Sequence, residues 1–459
     1  MQPNIVWIMT DHQRTDSLSC YGSTWCSTPN IDRLAGQGVR FAQCTSQSPV
    51  CVPSRTAQLT GRYAHACGVL ENQVAVAPRG EWLTDSFRDA GYQVVNFGKL
   101  HCAGHKQRNP FPWHEHGPGP GAAGATMSDL GEGYDASEHD IVTISVSAPS
   151  FDRLMVGGRF PLPPEQNEPE LLARRLDRFL HEEARPPFLV RVSISAPHTP
   201  ILPASGYYGR TDPSLIDVPL PSETLGARIP RYEAEVIRSH QGYGELSEEQ
   251  VAQARANYYD LCTEIDDVVG SIVDSVVSHG HGDTTIITLN SDHGTLLGEF
   301  GLAQNRTLFD PVVQVPFIMT TPALLPAGRV VDDPVELIDL FPTLMGLAGM
   351  DVPHSVQGRN LIPQIMGEAA HPDRPTFSEI DYAQALPKAV RERGSHRVMV
   401  RHRNWKMFCS LNDGGYGEDG ALYDLGEDPH ELRNLFDAPD RQDAIADLKC
   451  LIERWQRMV

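Results

Sequence analysis

The sequence has too little positive charge to cover an anion: 38 Lys and Arg stand against 59 Asp and Glu, a net charge of −21. Such a chain repels nucleic acid and anionic membrane surfaces, so neither is expected as a partner. No apolar run reaches the length of a membrane span. Also missing is any Cys-x-x-Cys pair of the zinc or redox type, and the nine cysteines are irregularly spaced. Small buried thiols in a reducing compartment are therefore expected, not a disulfide framework. Met1 is followed at once by Gln2-Pro3-Asn4 and a strand-like run, with no room for a leader peptide, so a cytoplasmic location is expected. Internal repeats and low-complexity tails are absent.

Hydrophobic content of 40% and charged content of 21% fit a soluble globular protein. At 459 residues the chain predicts one large and one smaller domain. Asn4-Ile5-Val6-Trp7-Ile8-Met9-Thr10 reads as a strand buried on both faces, the kind found in parallel sheets. It empties into Asp11-His12-Gln13-Arg14, and the carboxyl ends of such strands are where α/β sheets bind ligands. The strand Tyr92 to Phe97 runs into Gly98-Lys99-Leu100-His101, where alternation predicts Lys99 and His101 on one side. One is a fixed cation and the other exchanges protons near neutral pH. Phe188 to Ile194 delivers His198 in a proline-stiffened loop, and Thr284 to Leu289 delivers Asp292-His293. Two Asp-His pairs can supply the mixed oxygen and nitrogen ligands of a divalent cation.

Helices predicted near Pro169–Ala184, Gln250–His279 and Val335–Met350 alternate with these strands. That alternation predicts a large, doubly wound, mostly parallel α/β sheet flanked by helices over residues 1–371. Residues 372–459 read as a smaller α+β domain with an antiparallel sheet, including the turn Asn412-Asp413-Gly414-Gly415 and a closing helix from Gln442. The irregular stretch 103–165, with Gly117-Pro118-Gly119-Pro120-Gly121, is expected to wall a binding pocket.

The sharpest signal is Ser48-Pro49-Val50-Cys51-Val52-Pro53-Ser54-Arg55. Pro53 suits the first position of a helix, which would set Cys51 just before its N-terminus. Unpaired N–H groups and the helix dipole favour negative charge there. Arg55 lies a turn further on, on the same face, and can fork onto an oxyanion.

Cys51-x-Pro53-Ser54-Arg55 followed by Ala57-Gln58-Leu59-Thr60-Gly61 resembles the modification signature of the sulfatase family, in the alkaline phosphatase superfamily. Thr10-Asp11-His12-Gln13-Arg14, Gly98-Lys99-Leu100-His101, Ala196-Pro197-His198, Ser291-Asp292-His293-Gly294 and Leu422-Tyr423-Asp424-Leu425 follow the family's order. The resemblance implies a sulfuric ester hydrolase that cleaves sulfate monoesters. A formylglycine-generating enzyme would oxidise Cys51, and the hydrated aldehyde would form a covalent sulfate ester. Asp11, His12, Asp292, His293 and the modified Cys51 would bind one divalent metal ion, calcium first, with magnesium or manganese as alternatives. Arg55 would stabilise the hydrate, Lys99 and His198 would hold sulfate oxygens, and His101 would accept a proton. Asn72 falls near the nucleophile. Where the family commonly has a second lysine, this chain has Asn305-Arg306, so a lysine clamp on the leaving oxygen is missing.

The substrate would be a small-molecule or saccharide sulfate ester, and self-association into a homo-oligomer stays open. A formylglycine-dependent phosphonate monoester or phosphodiester hydrolase is the competing enzyme reading. Lys99 with His101 favours the sulfatase branch over it. A sulfated-ligand binding protein without turnover is a third reading, and it requires an unmodified thiol at Cys51.

Overall fold

The computed structural model describes residues 2–72, 75–105, 109–115, 142–145, 153–161, 163–218, 230, 246–301, 303–381, 395–412 and 415–458. Much of the 103–165 stretch, including its Gly-Pro run, lies outside them, as do Asp413 and Gly414 of the expected turn. Among the described residues, no helix is long and apolar enough to cross a membrane. All nine cysteines are free.

Eight strands build the large sheet: β1 (Asn4–Asp11), β2 (Val39–Phe41), β3 (Gln93–Gly98), β4 (Trp113–Glu115), β5 (Phe188–Pro197), β6 (Thr285–Ser291), β7 (Phe317–Thr320) and β8 (Arg329–Val331). Their order is β8-β2-β7-β6-β1-β5-β3-β4. Every pairing is parallel except the two that β7 makes, with β2 and β6. The mostly parallel sheet is as the apolar runs predict, because strands buried on both faces need no polar alternation. All eight residues of β1 are buried. Its side chains divide by parity. Ile5, Trp7 and Met9 join Phe341 and Leu344, while Val6 and Ile8 join Leu176, Phe179, Ile265, Val269 and Ile272.

Helix α1 (Cys51–Thr60) carries the sharpest sequence signal; α2 (Glu168–Glu182) and α3 (Glu248–Ser278) cover one face of the sheet. A Ser247–Gln250 capping box starts α3. The helix expected from Val335 begins later, as α4 (Leu340–Leu347). Val335–Glu336 instead pairs with Cys44–Thr45 as a short strand. The backbone N–H of Glu336 donates to Asp339 Oδ2 at 2.9 Å, and Arg374 bridges both carboxylates, pinning this stretch extended.

The smaller sheet is an antiparallel meander of β9 (Thr376–Asp381), β10 (His396–His402), β11 (Trp405–Asn412) and β12 (Gly415–Asp424). Helix α5 (Gln442–Gln456) seals one face through Ile445, Leu448, Ile452 and Trp455. On the other face Met399, Phe408 and Tyr423 pack against Phe309 and Val312 of the large unit. Lys406, fully buried, sits 2.6 Å from both Asp310 Oδ1 and Glu431 Oε1. A buried ammonium is tolerable only with such partners.

Candidate active site

Strands β6, β1, β5 and β3 are neighbours in the sheet, so their carboxyl ends bring distant dipeptides together. Asp11 ends β1, Asp292 and His293 follow β6, His198 follows β5, and Lys99 follows β3. Cys51 opens α1 and is 3% exposed, sealed against this edge. The helix begins two residues earlier than Pro53 implied. Pro53 falls in its first turn, where N–H groups have no intrahelical acceptor, and the first such bond is Ser54 N to Val50 O at 3.1 Å. One orphan donor, Val52 N, finds Asn72 Oδ1 at 3.0 Å, so Asn72 acts as a cap supplied from another loop.

Arg55 ties the site together. Its Nε donates to Asp292 Oδ2 at 2.7 Å and its Nη2 to Asp11 Oδ2 at 2.8 Å. Nη1 reaches Ser193 Oγ at 2.8 Å and the Lys99 carbonyl at 3.3 Å. Lys99 pairs with Asp11 Oδ2, and its Nζ lies 3.9 Å from Cys51 Sγ. Burial pushes the Asp11 carboxyl upward, but Lys99 and Arg55 outweigh it and hold the group well below the usual range. Burial lowers Lys99, yet the Asp11 charge leaves it raised above an ordinary lysine.

Four imidazoles complete the pocket. His12 takes a left-handed backbone (φ 68°), and its ring centroid lies 4.1 Å from His198 and 4.7 Å from His293. His293 Nδ1 donates to the Gly294 carbonyl at 2.9 Å, so Nε2 turns its lone pair toward Cys51 Sγ, 3.3 Å away. Burial lowers the basicity of His293, but Asp292 and Cys51 outweigh it and lift it to about 9. A field that favours a proton there favours a metal cation too. His198, whose Nδ1 lies 2.5 Å from the Thr199 carbonyl, is brought down to about 4 by burial and by Lys99. Burial, Lys99 and Arg55 bring His101 to about 2, and its Nδ1 is buried without a hydrogen-bond partner. Strand β3 ends at Gly98 and His101 has φ 34°, so simple alternation does not govern where Lys99 and His101 point.

Asp11, His12, Cys51 and His293 each offer a ligand atom, and these atoms all lie within 4.8 Å of one another. Asp292 borders the group, with Oδ1 3.9 Å from His293 Nε2. His12 Nε2 is buried with no hydrogen-bond partner. That orphan, aimed among carboxylate and imidazole donors, makes the set a fit for a divalent cation.

Asn305 is buried with its Nδ2 3.3 Å from His293 Nε2. Arg306, also left-handed (φ 77°), donates its backbone N–H to the Pro49 carbonyl at 3.2 Å and so braces the loop before Cys51. Three further residues were not singled out from sequence. Ser193 holds Arg55, as given above. Arg191, two residues earlier on the same face of β5, donates to Asn96 Oδ1 at 2.6 Å and reaches the Lys99 carbonyl at 3.4 Å. Glu168 accepts from Ser195 N and Oγ, both at 2.8 Å, at the root of the His198 loop. An arginine inside an otherwise apolar strand was the visible sign of the first two.

The family model described as Sulfatase matches residues 3–350. The chain belongs to the sulfatase family. Residues 298–458 of this sulfatase match a second family model, N-sulphoglucosamine sulphohydrolase, C-terminal. The chain is 24% identical to an arylsulfatase of Clostridium perfringens over 98% of its own length and 94% of that protein's. It is equally 24% identical to an N-acetylglucosamine-6-O-sulfatase of Bacteroides thetaiotaomicron, covering 99% and 86%. In fold it is similar to a phosphonate monoester hydrolase of Silicibacter pomeroyi, with TM-score 0.81 and 23% identity over 100% of this chain and 96% of that one. This sulfatase is an enzyme of sulfate ester hydrolysis.

Proposed function

We propose that this sulfatase cleaves sulfate monoesters at Cys51, after that residue has been converted to formylglycine by a formylglycine-generating enzyme. The observation that carries the reading is the position of Cys51. It is buried at a helix N-terminus, 3.9 Å from Asp11 and Lys99 and 3.3 Å from His293. Formylglycine would supply a hydrated aldehyde as nucleophile, and a divalent cation held by Asp11, His12, His293 and the neighbouring Asp292 would polarise the sulfate.

The chain's own residues divide the remaining work. Arg55 spans Asp11 and Asp292 and holds both carboxylates in place. Lys99 faces a sulfate oxygen and carries a proton for the departing alkoxide. His198 gives its Nδ1–H to Thr199, so in neutral form its Nε2 is an acceptor, which leaves Lys99 as the proton donor of the two. His101, neutral at physiological pH, takes the proton from the second hydroxyl as the carbon–oxygen bond to sulfate breaks. Sulfate then leaves and the carbonyl is restored. Asn305 beside His293 offers a neutral donor where a second lysine would bring charge.

The fold likeness to the phosphonate monoester hydrolase keeps phosphonate and phosphodiester cleavage as the second reading. Side-by-side assays of an aryl sulfate, a phosphate diester and a phenyl phosphonate test it, with sulfated monosaccharides included because of the N-acetylglucosamine-6-O-sulfatase relative. The sulfate ester is expected to turn over fastest; a far better rate on the diester or phosphonate defeats the proposal. Mass analysis of the tryptic Cys51 peptide is expected to show sulfur exchanged for oxygen with loss of two hydrogens. An unmodified thiol in an active preparation would refute the nucleophile.

A further inference from the structure

We infer that His12 makes the cation site of this sulfatase selective for a first-row transition ion over calcium. The inference rests on the reading of the Asp11–His12–Cys51–His293 group as a cation site. Calcium takes six to eight oxygen ligands at flexible geometry, whereas imidazole nitrogen suits the later first-row ions, iron through zinc. The resemblance implied calcium first; the donors gathered here are otherwise composed. Two of the four groups that converge within 4.8 Å are imidazoles. Both are committed in the same sense. His293 uses Nδ1 on the Gly294 carbonyl, which frees Nε2 for the pocket. His12 presents a buried Nε2 without a hydrogen-bond partner, 3.7 Å from Asp11 Oδ1.

The oxygen side of the set is thin. Asp292 Oδ2 and Asp11 Oδ2 are both occupied by Arg55, and Asp292 Oδ1 already accepts the His293 backbone N–H at 2.9 Å, which leaves Asp11 Oδ1 as the less committed carboxylate oxygen. Conversion of Cys51 to an oxygen donor would add hard character at one position only, and the two nitrogens would remain. The His12 ring is buried between the rings of His198 and His293, so it has little freedom to swing out and admit water.

Metal binding itself is the test. The purified enzyme, stripped with a chelator, is titrated with Ca²⁺, Mn²⁺, Co²⁺ and Zn²⁺, and affinity is read by calorimetry and by the shift in melting temperature. Wild type is expected to bind Co²⁺ and Zn²⁺ at least tenfold more tightly than Ca²⁺, with Mn²⁺ between them, and Co²⁺ is expected to show visible absorption bands of nitrogen ligation. His12→Asp and His12→Asn place oxygen at the same position and tolerate its backbone. Each is expected to shift the preference at least tenfold toward calcium and to change the Co²⁺ bands, with the Cys51 modification state matched by mass. Tighter calcium binding by wild type, or an unchanged preference in both folded variants, overturns the inference and leaves the cation site standing. Failure of every ion to bind overturns that site as well.

Discussion

Arg55 Nη2 and Asp11 Oδ2 meet at 2.8 Å with both side chains sealed from solvent. Removing one partner of such a pair leaves an uncompensated buried charge. Arg55→Ala is therefore expected to destabilise the fold by roughly 3–5 kcal/mol. Denaturant unfolding measures it. A loss under about 1 kcal/mol would show that water already screens the pair.

Cys51 contributes little to packing beyond its small volume, yet it lies beside Asp11, Lys99 and His293. Cys51→Ala is expected to abolish sulfate ester turnover, by on the order of 10³-fold or more. Its melting temperature should stay within a few degrees of wild type. Retained turnover with a normal melting curve would place the nucleophile elsewhere.

Glu168 is raised to about 7 by burial, against hydrogen bonds from Ser195. A carboxyl raised on folding contributes stability that is present at low pH and is lost as pH rises through about 7. Glu168→Gln can still pair with Ser195, accepting from its N–H and donating to Oγ. The variant should therefore gain on wild type between pH 5 and 8, at up to about 1.4 kcal/mol per pH unit crossed. Melting temperatures of both proteins across that range decide it, and a pH-independent difference would contradict the buried carboxyl.

Arg191 is fully buried, and burial followed by the nearby Arg55 charge brings it down to about 9. It lies over Phe111 and under the Lys99–Leu100 backbone. Arg191→Met keeps the bulk and removes the donors, so stability should hold or rise. The turn carrying Lys99 and His101 would lose its anchor, and kcat should fall roughly 10- to 100-fold. A normal kcat in the folded variant would show that the turn holds itself.

The strand-end motifs were legible because each buried strand is an apolar run cut off by polar residues, and the sheet stacks those cut-offs side by side. Donor chemistry suggested that the two Asp-His pairs share a cation, but local chemistry cannot say which strands are neighbours, and it is the sheet order that brings Asp11 and Asp292 together. The start of α1 was misplaced because proline was read as a first residue, although any position in the first turn spares the missing N–H. Strand β9 was not anticipated. Its Glu379 is buried among His65 and His396, a partnership that no short window reveals. Asn72 and Arg306 likewise act through backbone groups of α1 and its preceding loop, contacts set by tertiary approach.

Lys406 belongs to the small sheet, yet its ammonium grips Asp310, five residues beyond the Asn305 that touches His293. The meander is thus a buttress for the chemistry and not a passenger behind it. A chain cut after α4 would forfeit the cation that balances Asp310, and the wall holding Asn305 against His293 would stand on an unsupported footing.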